Sequence, residues 1–275
     1  MARTSPQPHS RVILWPRRAL VFSPMNKVTQ HAHHASALLT GIDGPFGFKP
    51  AAGPWMSVRR LWISAGCMHQ LDCARTTVAV LFLTPGRQDH DRFCQTHGIG
   101  PLEPYKTLPL PSRIPDMDAI LAGELCGAEL DDWMEAMLGP APQRFAAEVR
   151  VEKAAKRILE RIEEGWTLSA LAKDLKLSPS RLRHLFRARS GITPQQLRGW
   201  FRMHSVSAQL AQGRTLTQAA HQAGFVDSAH LSRSFKRLFG LPPSRVLRPQ
   251  TRFALHGDGL ETLQAESTVQ DTLRP

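Results

Sequence analysis

Residues 215–240 read TLTQAAHQAGFVDSAHLSRSFKRLFG, and this stretch decides the fold of the second half of the chain. It begins with helical spacing of apolar residues and with small side chains where two helices must approach closely. Gly224 can adopt the positive φ that a sharp turn requires, and Asp227 or Ser228 can cap the helix that follows. The stretch therefore predicts two short helices joined by a glycine turn, the second of which ends at Gly240.

Only the second of these helices is crowded with Arg, Lys and Ser. Its apolar residues Leu231, Phe235 and Leu238 are expected to point inward. The side chains left facing outward are those of Ser228, His230, Arg233, Ser234 and Arg237. In a helix-turn-helix the first helix braces the second, which enters the major groove and presents its side chains to base edges. The pattern therefore predicts a helix that reads DNA.

The same plan occurs a second time, earlier in the chain. At an offset of 49 residues the matches are Leu182 with Leu231, Phe186 with Phe235, Arg187 with Lys236, Gly191 with Gly240, and Pro194 with Pro243. Ala172 matches Ala220 at an offset of 48. The outer face of the second helix in this copy carries Ser180, Arg181, Arg183, His184 and Arg187. An internal repeat of this kind predicts two helix-turn-helix units in one chain.

The segment between the two units, from about 194 to 212, has the pattern of one long helix. Thr193 and Gln196 resemble a capping box at its start. Its expected buried stripe is Leu197, Trp200, Phe201, His204 and Ala208. A stiff helix there would set the two recognition helices about one helical turn of DNA apart, roughly 34 Å. In the first copy Lys176 stands where the second has Gly224, so it must either adopt a left-handed conformation or alter the turn.

Positive charge is concentrated in the same segment. The chain carries 35 Lys and Arg against 23 Asp and Glu, a net charge of +12. Residues 144–252 hold 21 of the basic and seven of the acidic residues. Such a field attracts polyanions such as nucleic acids. A basic surface that serves only solubility is the alternative on composition alone, but the repeat and the one-sided placement of the basic side chains favour DNA.

The remainder of the chain separates into three parts. Residues 1–105 are rich in Pro, Gly and His, with short apolar runs such as Val78–Leu83 that predict strands and turns. Residues 116–138 have helical spacing, broken near Gly127. Their apolar stripe, which could pair two subunits or pack on the chain's own first domain, is Met117, Leu121, Leu125, Trp133 and Met137. Residues 253–275 are polar and acidic, and we expect them to be disordered.

Composition disfavours two classes of protein. No apolar run approaches the length of a transmembrane helix, and the first 25 residues hold four prolines and no secretory core, so we expect a cytoplasmic protein without membrane contact. Cys67, Cys73, Cys94 and Cys126 are scattered and form no CxxC pair. That distribution fits reduced thiols better than a disulfide framework or a zinc site.

Residues 167–248 resemble the DNA-binding domain of AraC/XylS-type transcription regulators. The residues that carry the resemblance are Arg202, Ala219-Ala220, Gly224-Phe225, Asp227-Ser228, Phe235-Lys236-Arg237, Phe239-Gly240 and Pro243-Ser244. The resemblance implies a leading helix at about 145–164 and two recognition helices in adjacent major grooves. It implies base contacts from Ser180, Arg183 and His184 in the first helix, and from Ser228, Ala229, His230 and Arg233 in the second. The sequence departs at Val246 and Leu247, where an aromatic residue and an Arg are usual.

The N-terminal region resembles the cupin-like sensor domains of such regulators. The resemblance rests on His31-Ala32-His33-His34, Gly41-Ile42-Asp43-Gly44-Pro45-Phe46 and Gly66-Cys67-Met68-His69. It implies a small β-barrel whose cavity is the place for an effector. In a metal-binding cupin His31, His33 and His69 would be ligands, but no acidic ligand follows the first His pair, and Ser64-Ala65 stand where prolines are usual. We therefore expect no cofactor and three hydrogen-bonded histidines, with a three-histidine zinc site as the alternative.

Together these features predict an α+β protein. A cupin-like β-barrel with following helices is expected at 10–138, and an all-α domain of two helix-turn-helix units joined by a long helix at 144–250. The expected DNA-binding residues are Ser180, Arg181, Arg183, His184, Arg187, Ser228, Ala229, His230, Arg233 and Arg237.

The function expected from this organisation is sequence-specific regulation of transcription on double-stranded DNA, without enzymatic activity. A small-molecule effector and a second copy of the chain are the further partners considered. Two alternatives stay open at this point. One is a cupin-type metalloenzyme that carries a DNA-binding domain, and the other is a nonspecific architectural DNA binder.

Overall fold

The computed structural model describes residues 10–256 with the exception of 17, 75, 102, 111–118, 121–122, 125–126, 141–145, 161, 163–166 and 248–250. Within these residues the strands are β1 (Arg11–Trp15), β2 (Arg18–Ser23), β3 (Lys27–Ala32), β4 (Ser36–Gly41), β5 (Phe46–Pro50), β6 (Met56–Val58), β7 (Arg60–Ile63), β8 (Met68–Asp72), β9 (Val78–Leu83), β10 (Tyr105–Thr107) and β11 (Arg252–Leu255). The helices are α1 (Gln88–Thr96), α2 (Ala128–Leu138), α3 (Ala146–Glu160), α4 (Leu168–Asp174), α5 (Pro179–Ser190), α6 (Pro194–Ala211), α7 (Leu216–Gln222) and α8 (Ser228–Phe239), followed by a 3-10 turn at Pro243–Arg245. The predicted α+β class is confirmed.

The strands form two sheets that enclose one apolar core. The larger sheet has the order β10-β7-β4-β9-β2-β1-β11, and the smaller has the order β3-β8-β5-β6. Phe46 and Phe48 of the smaller sheet lie in the same core cluster as Leu39 and Phe82 of the larger. This is the barrel-like first domain that the sequence predicts.

Strand β9 shows why an unbroken apolar run forms a strand here. Its side chains alternate between two clusters: the inward set is Val78, Val80 and Phe82, and the outward set is Ala79, Leu81 and Leu83. The outward set packs with Phe93 of α1 and with α2. Because both faces of the strand are buried, neither face needs polar residues.

Helix α2 packs on the chain's own barrel. Its residues Leu130, Met134 and Leu138 are fully buried in the outer cluster. Trp133 and Met137 of the predicted stripe lie partly buried against the same cluster. The other three members of that stripe, Met117, Leu121 and Leu125, lie outside the described residues.

Polar contacts also hold α2 against the barrel and α1. The indole nitrogen of Trp15 donates a hydrogen bond to Asp131 Oδ1 at 2.7 Å. Glu135 pairs with Arg92 at 2.7 Å and with Arg18 at 3.2 Å. Helix α2, in the predicted helical segment 116–138, therefore packs within its own chain.

The C-terminal helices repeat as the sequence predicts. Helices α5 and α8 are each 12 residues long, and each ends at a left-handed glycine with φ of 71°, Gly191 and Gly240. The side chains of Ser178 and Asp227 accept hydrogen bonds from the third backbone N–H of their helices. With α4 and α7 as bracing helices, the two helix-turn-helix units are confirmed.

The long helix α6 attaches these units to the barrel. Trp200 Nε1 donates to Thr84 Oγ1 at 3.0 Å, and His204 Nε2 bonds to the carbonyl oxygen of Trp15 at 2.7 Å. The Trp200 ring also lies 5.3 Å from the ring of Phe82. The predicted stripe of α6 is buried, but part of it packs on the barrel, so one core cluster runs through both domains.

The last described segment returns to the barrel. Strand β11 pairs in parallel with β1, which places Arg252 opposite Arg11 and Leu255 opposite Leu14. This corrects the expectation of a disordered tail from 253. The outer edge of β1 has backbone N–H and C=O groups that need partners, and β11 supplies them. Residues 257–275 lie outside the described part of the chain.

Candidate nucleic-acid interface and sensor cavity

The outer face of α5 is open to solvent along its length. The five side chains predicted for DNA contact there, Ser180, Arg181, Arg183, His184 and Arg187, are all exposed. They leave the helix on the side opposite Leu182 and Phe186, which are fully buried. A continuous polar and basic surface of this kind suits the major groove and its flanking phosphates.

The outer face of α8 is only partly open to solvent. Ala229, Arg233 and Arg237 are exposed, whereas Ser228 and His230 are half-buried. The His230 ring packs edge-on against Phe225 at a centroid distance of 5.3 Å. His230 therefore has less freedom to reach a base than the sequence pattern suggests.

One apolar side chain at the start of α8 was missed by sequence reasoning. Val226 is 76% exposed, next to the N-cap of α8 and one turn from Ala229. Its side chain is therefore available for contact with a partner on the same surface as the exposed residues of α8. The only sequence signal was its position directly after the turn.

The turns of the two units share a conformation despite different residues. Lys176 has φ of 54°, the single positive value among described non-glycine residues, and Gly224 has φ of 74°. The first unit thus accommodates Lys176 in the left-handed region and keeps the turn. Of the two outcomes left open by the sequence, the structure has the first.

A basic cleft of about 320 Å³ separates α6 from α8. Its charged lining comes from Arg198, Arg202 and Arg237, and His34 and His230 also border it. The Arg202 guanidinium lies 5.5 Å from the centre of the Phe225 ring, and a Cβ added at Gly224 would lie 2.9 Å from its Nη2. Arg202 therefore braces the second turn. Sequence reasoning found it only through the family resemblance, since its partners come from distant elements.

An apolar cavity of about 80 Å³ lies between the barrel and the C-terminal helices. The barrel lines it with side chains of β1, β2, β3 and β9, and the other wall is formed by α6, α8 and the residues that follow α8. Val246 and Leu247, the two residues that depart from the family pattern, belong to this wall. Both side chains therefore contribute apolar surface to the cavity.

Three histidines meet at one side of this cavity. The rings of His31, His33 and His69 lie 4.3–4.9 Å apart, centroid to centroid, and all three side chains are buried. Burial, with the neighbouring His69 ring, lowers the pKa of His31 to about 3, and burial lowers the pKa of His69 to about 4. The pKa of His33 is lowered well below its ordinary value by burial and by the other rings. All three rings are therefore neutral near pH 7.

The C-terminal end of α8 rests directly on the strand that carries this cluster. The carbonyl oxygen of Gly240 accepts hydrogen bonds from Thr29 N at 3.2 Å and from Thr29 Oγ1 at 2.6 Å. A Cβ at Gly240 would lie 2.6 Å from His31 Nδ1, so only glycine permits this approach. Helix α8 and the barrel are thus in direct contact.

Two further features bear on the sequence expectations. In the described part of the chain no helix combines the length and apolarity needed to cross a bilayer. Cys67, Cys73 and Cys94 are free thiols, and Cys126 lies outside the described residues.

Comparison with known proteins supports the C-terminal assignment. A family model described as a helix-turn-helix domain matches residues 171–249. The arabinose operon regulatory protein of Escherichia coli is 32% identical over 97 residues, 34% of this chain and 33% of that protein. The bifunctional transcriptional activator/DNA repair enzyme Ada of Escherichia coli is 36% identical over 87 residues, 32% of this chain and 24% of that protein. The chain therefore spans about a quarter to a third of the length of these curated relatives, and the match to Ada covers only the helix-turn-helix region.

A solved structure extends the comparison to both domains. ToxT from Vibrio cholerae with a bound unsaturated fatty acid aligns over 84% of this chain and 95% of its own, with a TM-score of 0.52 and 13% identity. At that identity the likeness is one of fold: a barrel followed by paired helix-turn-helix units. The C-terminal region of the chain is therefore similar to the helix-turn-helix domains of these regulators, and its two-domain fold is similar to that of ToxT.

Proposed function

We propose that this protein is a transcription regulator that binds a specific DNA sequence with α5 and α8 in adjacent major grooves. The single observation that carries the proposal is the repeated pair of capped recognition helices, each with an exposed polar and basic outer face. The excess of Lys and Arg in residues 144–252 adds the electrostatic attraction that any DNA site requires. The domain boundaries proposed are 10–138 and 144–250, with β11 belonging to the barrel sheet.

The exposed residues divide into two roles. Base contacts are assigned to Ser180, Arg183 and His184 of α5, and to Ser228, Ala229, His230 and Arg233 of α8. Phosphate contacts are assigned to Arg181, Arg187 and Arg237, of which Arg187 and Arg237 lie toward the C-terminal ends of the two helices. Val226 is added as an apolar contact for a thymine methyl group, because an exposed aliphatic side chain beside Ala229 suits that partner.

The apolar cavity is the proposed effector site. Its volume of about 80 Å³ is smaller than the ~150 Å³ that a benzene-sized guest occupies in a protein core. An effector of the size of the fatty acid bound by ToxT would therefore have to separate the C-terminal helices from the barrel. In this proposal the effector acts by shifting the balance between closed and opened arrangements of the two domains.

Pairing of two chains remains a prediction. The face of α2 that packs on the barrel is buried and unavailable for a second copy. Any dimer through the 116–138 segment would have to use its remaining surface.

Selection of random duplex DNA by the purified full-length chain, at physiological salt and followed by sequencing, tests the proposed function. Enrichment of two short elements about one helical turn apart, roughly 34 Å, is the expected result. Enrichment of one element would mean that one unit reads no sequence. Binding without enrichment would replace the regulator with the architectural alternative, whose affinity depends steeply on salt and little on sequence.

A further inference from the structure

The hydrogen bonds of the histidine cluster define where its protons lie. His31 Nδ1 lies 2.8 Å from the carbonyl oxygen of Thr29, and His69 Nδ1 lies 2.9 Å from that of Cys67. A carbonyl oxygen can only accept, so both Nδ1 atoms carry the hydrogen. In a neutral imidazole the other nitrogen, Nε2, then holds a lone pair. The lone pairs of His31 and His69 are therefore directed into the cluster.

The third ring fits this arrangement incompletely. His33 Nε2 lies 2.9 Å from His31 Nε2 and must donate to it. His33 Nδ1 and His69 Nε2 are buried and have no hydrogen-bond partner among the described residues. A buried acceptor without a partner is unfavourable because it has lost its hydrogen bond to water, and such groups are rare in native proteins. Hydrogen bonding within the cluster therefore leaves acceptor capacity unused.

A bound cation would use the lone pairs of the ring nitrogens that the hydrogen bonds within the cluster leave without a partner. One ring nitrogen from each of His31, His33 and His69 lies within 4.8 Å of the other two, which allows one ion to contact all three. Nδ1–H groups bonded to backbone carbonyls are the outer contacts that orient histidine ligands around metals. His33 becomes a ligand through Nε2 in the neutral tautomer that carries its hydrogen on Nδ1.

The chemistry of the donors selects the class of ion. Three neutral imidazoles suit Zn²⁺ and similar transition metals, whereas Mg²⁺ and Ca²⁺ prefer oxygen ligands. Within the described residues no carboxylate joins this group of donors. His31 and His33 also line the apolar cavity, so an ion held by the three histidines would lie beside it.

The cluster is connected to α8 by short contacts. The Thr29 carbonyl that accepts from His31 belongs to the same residue whose N–H and hydroxyl donate to Gly240 at the end of α8. The ring of Phe239 lies 6.1 Å from that of His33. A change in the position of His31 or His33 would therefore alter the contacts that hold the C-terminal end of α8 against the barrel.

We propose that His31, His33 and His69 bind one divalent cation of the zinc class, and that the bound ion holds α8 against the barrel and so regulates DNA binding. The metal site stands on the geometry of the three rings. Its regulatory consequence rests on the proposed function.

Cobalt(II) added to the chelator-treated full-length chain tests the metal site. We expect one Co²⁺ per chain, visible absorption of a low-symmetry nitrogen site, and displacement by Zn²⁺. His33→Gln should weaken binding by about tenfold or more, while His184→Gln, which changes an exposed histidine of α5, should retain it. Wild-type protein that takes up no stoichiometric Co²⁺, or a folded His33→Gln variant that binds as tightly as wild type, overturns the proposal. If His33→Gln fails to fold, His69→Gln and the wild-type spectrum decide the question.

The regulatory half is tested with Thr29→Val, which removes the hydroxyl donor to Gly240 and leaves all three rings in place. In wild-type protein, Zn²⁺ should change the Kd for the selected DNA by about fivefold or more and slow hydrogen exchange at the end of α8. In Thr29→Val the Zn²⁺ stoichiometry should persist and both effects should shrink. Bound Zn²⁺ without either effect in wild type contradicts the coupling and leaves the metal site standing. A chain that selects no DNA contradicts the proposed function, while the Co²⁺ titration still decides the metal site.

Discussion

At the scale of single residues, the two copies of the helix-turn-helix differ most sharply at one turn. Lys176 and Gly224 occupy matching positions with φ of 54° and 74°. An L-residue in the left-handed region is disfavoured by about 1–2 kcal/mol, which glycine avoids. Glycine in turn loses more chain entropy on folding, by roughly 0.5–1 kcal/mol. The first unit thus retains a small conformational penalty that the second does not have.

Lys176→Gly should therefore stabilise the protein by about 0.5–1 kcal/mol, measured as the free energy of unfolding in urea. Gly224→Ala is the matched opposite change. It should destabilise, because the added Cβ combines positive φ with a 2.9 Å approach to Arg202. A Lys176→Gly variant less stable than wild type would show that the lysine side chain makes contacts outweighing its backbone strain.

Arg233→Ala tests a single predicted base contact. The exposed Arg233 lies at the centre of the outer face of α8. Its loss should cost about 1–3 kcal/mol on the best DNA site and relax the preference at one base pair, measured by binding assays on single-base variants of that site. Lys236→Ala, which removes another exposed basic side chain of the same helix, is the control variant in these binding assays. Equal weakening on every sequence would reassign Arg233 to a phosphate contact.

At the scale of elements, the helices could be predicted because their caps and spacing are local in the sequence. The contacts between elements could not, because they join residues that are far apart in the chain. Thr193 and Thr215 form capping boxes with Gln196 and Gln218, a pattern readable within four residues. The repeat likewise fixed α5 and α8 from spacing alone. The docking of Gly240 on Thr29 joins residues far apart in the chain, and no periodicity encodes such a contact. The cleft around Arg202 could not be predicted for the same reason. Strand β11 could not be predicted either, because its four residues are too few to show a strand pattern without the partner strand.

Helix α6 should make the protein sensitive to mild acid. Burial lowers the pKa of His204, although its hydrogen bond to the Trp15 carbonyl acts in the opposite direction. Below the unfolded pKa of about 6.5, the unfolded chain binds a proton that the folded chain does not. Stability should then fall as the pH drops from about 6.5 toward the folded pKa, by at most ~1.4 kcal/mol per pH unit.

Urea unfolding at several pH values, compared between wild type and His204→Gln, isolates this contribution. The variant should lose less stability between pH 7.5 and pH 5.5 than wild type, since other buried histidines contribute equally to both. Gln195→Ala, at an exposed position of the same helix, should keep the wild-type pH dependence. Identical slopes for wild type and His204→Gln would exclude His204 as a source of acid sensitivity.

At the scale of the whole molecule, one apolar core runs from the barrel into the helix-turn-helix units. Trp200 is its main bridge, since it packs on Phe82 and bonds to Thr84. Large aromatic-to-alanine changes in a core cost about 3–5 kcal/mol. The interface should therefore make the two domains unfold together, whereas a polar or loosely packed contact would let them unfold separately.

Trp200→Ala should lower the stability of the protein by about 3–5 kcal/mol and divide its thermal unfolding into two transitions, as followed by scanning calorimetry. Trp200→Phe keeps an aromatic ring in the core and loses the hydrogen bond to Thr84 and part of the ring volume, so it should retain a single transition. A single transition in Trp200→Ala, merely shifted to lower temperature, would show that the domains are coupled through other contacts.

The parallel pairing of β11 with β1 also orders events during synthesis. Strand β1 ends at Trp15 and its outer neighbour begins at Arg252, so the ribosome must make the complete DNA-binding region before that edge can close. At about 5–20 residues per second this leaves the edge of the nascent sheet open for roughly 10–50 seconds. During that time it can accept a strand from another nascent chain on the same messenger, and a chaperone that shields the edge would suppress such pairing.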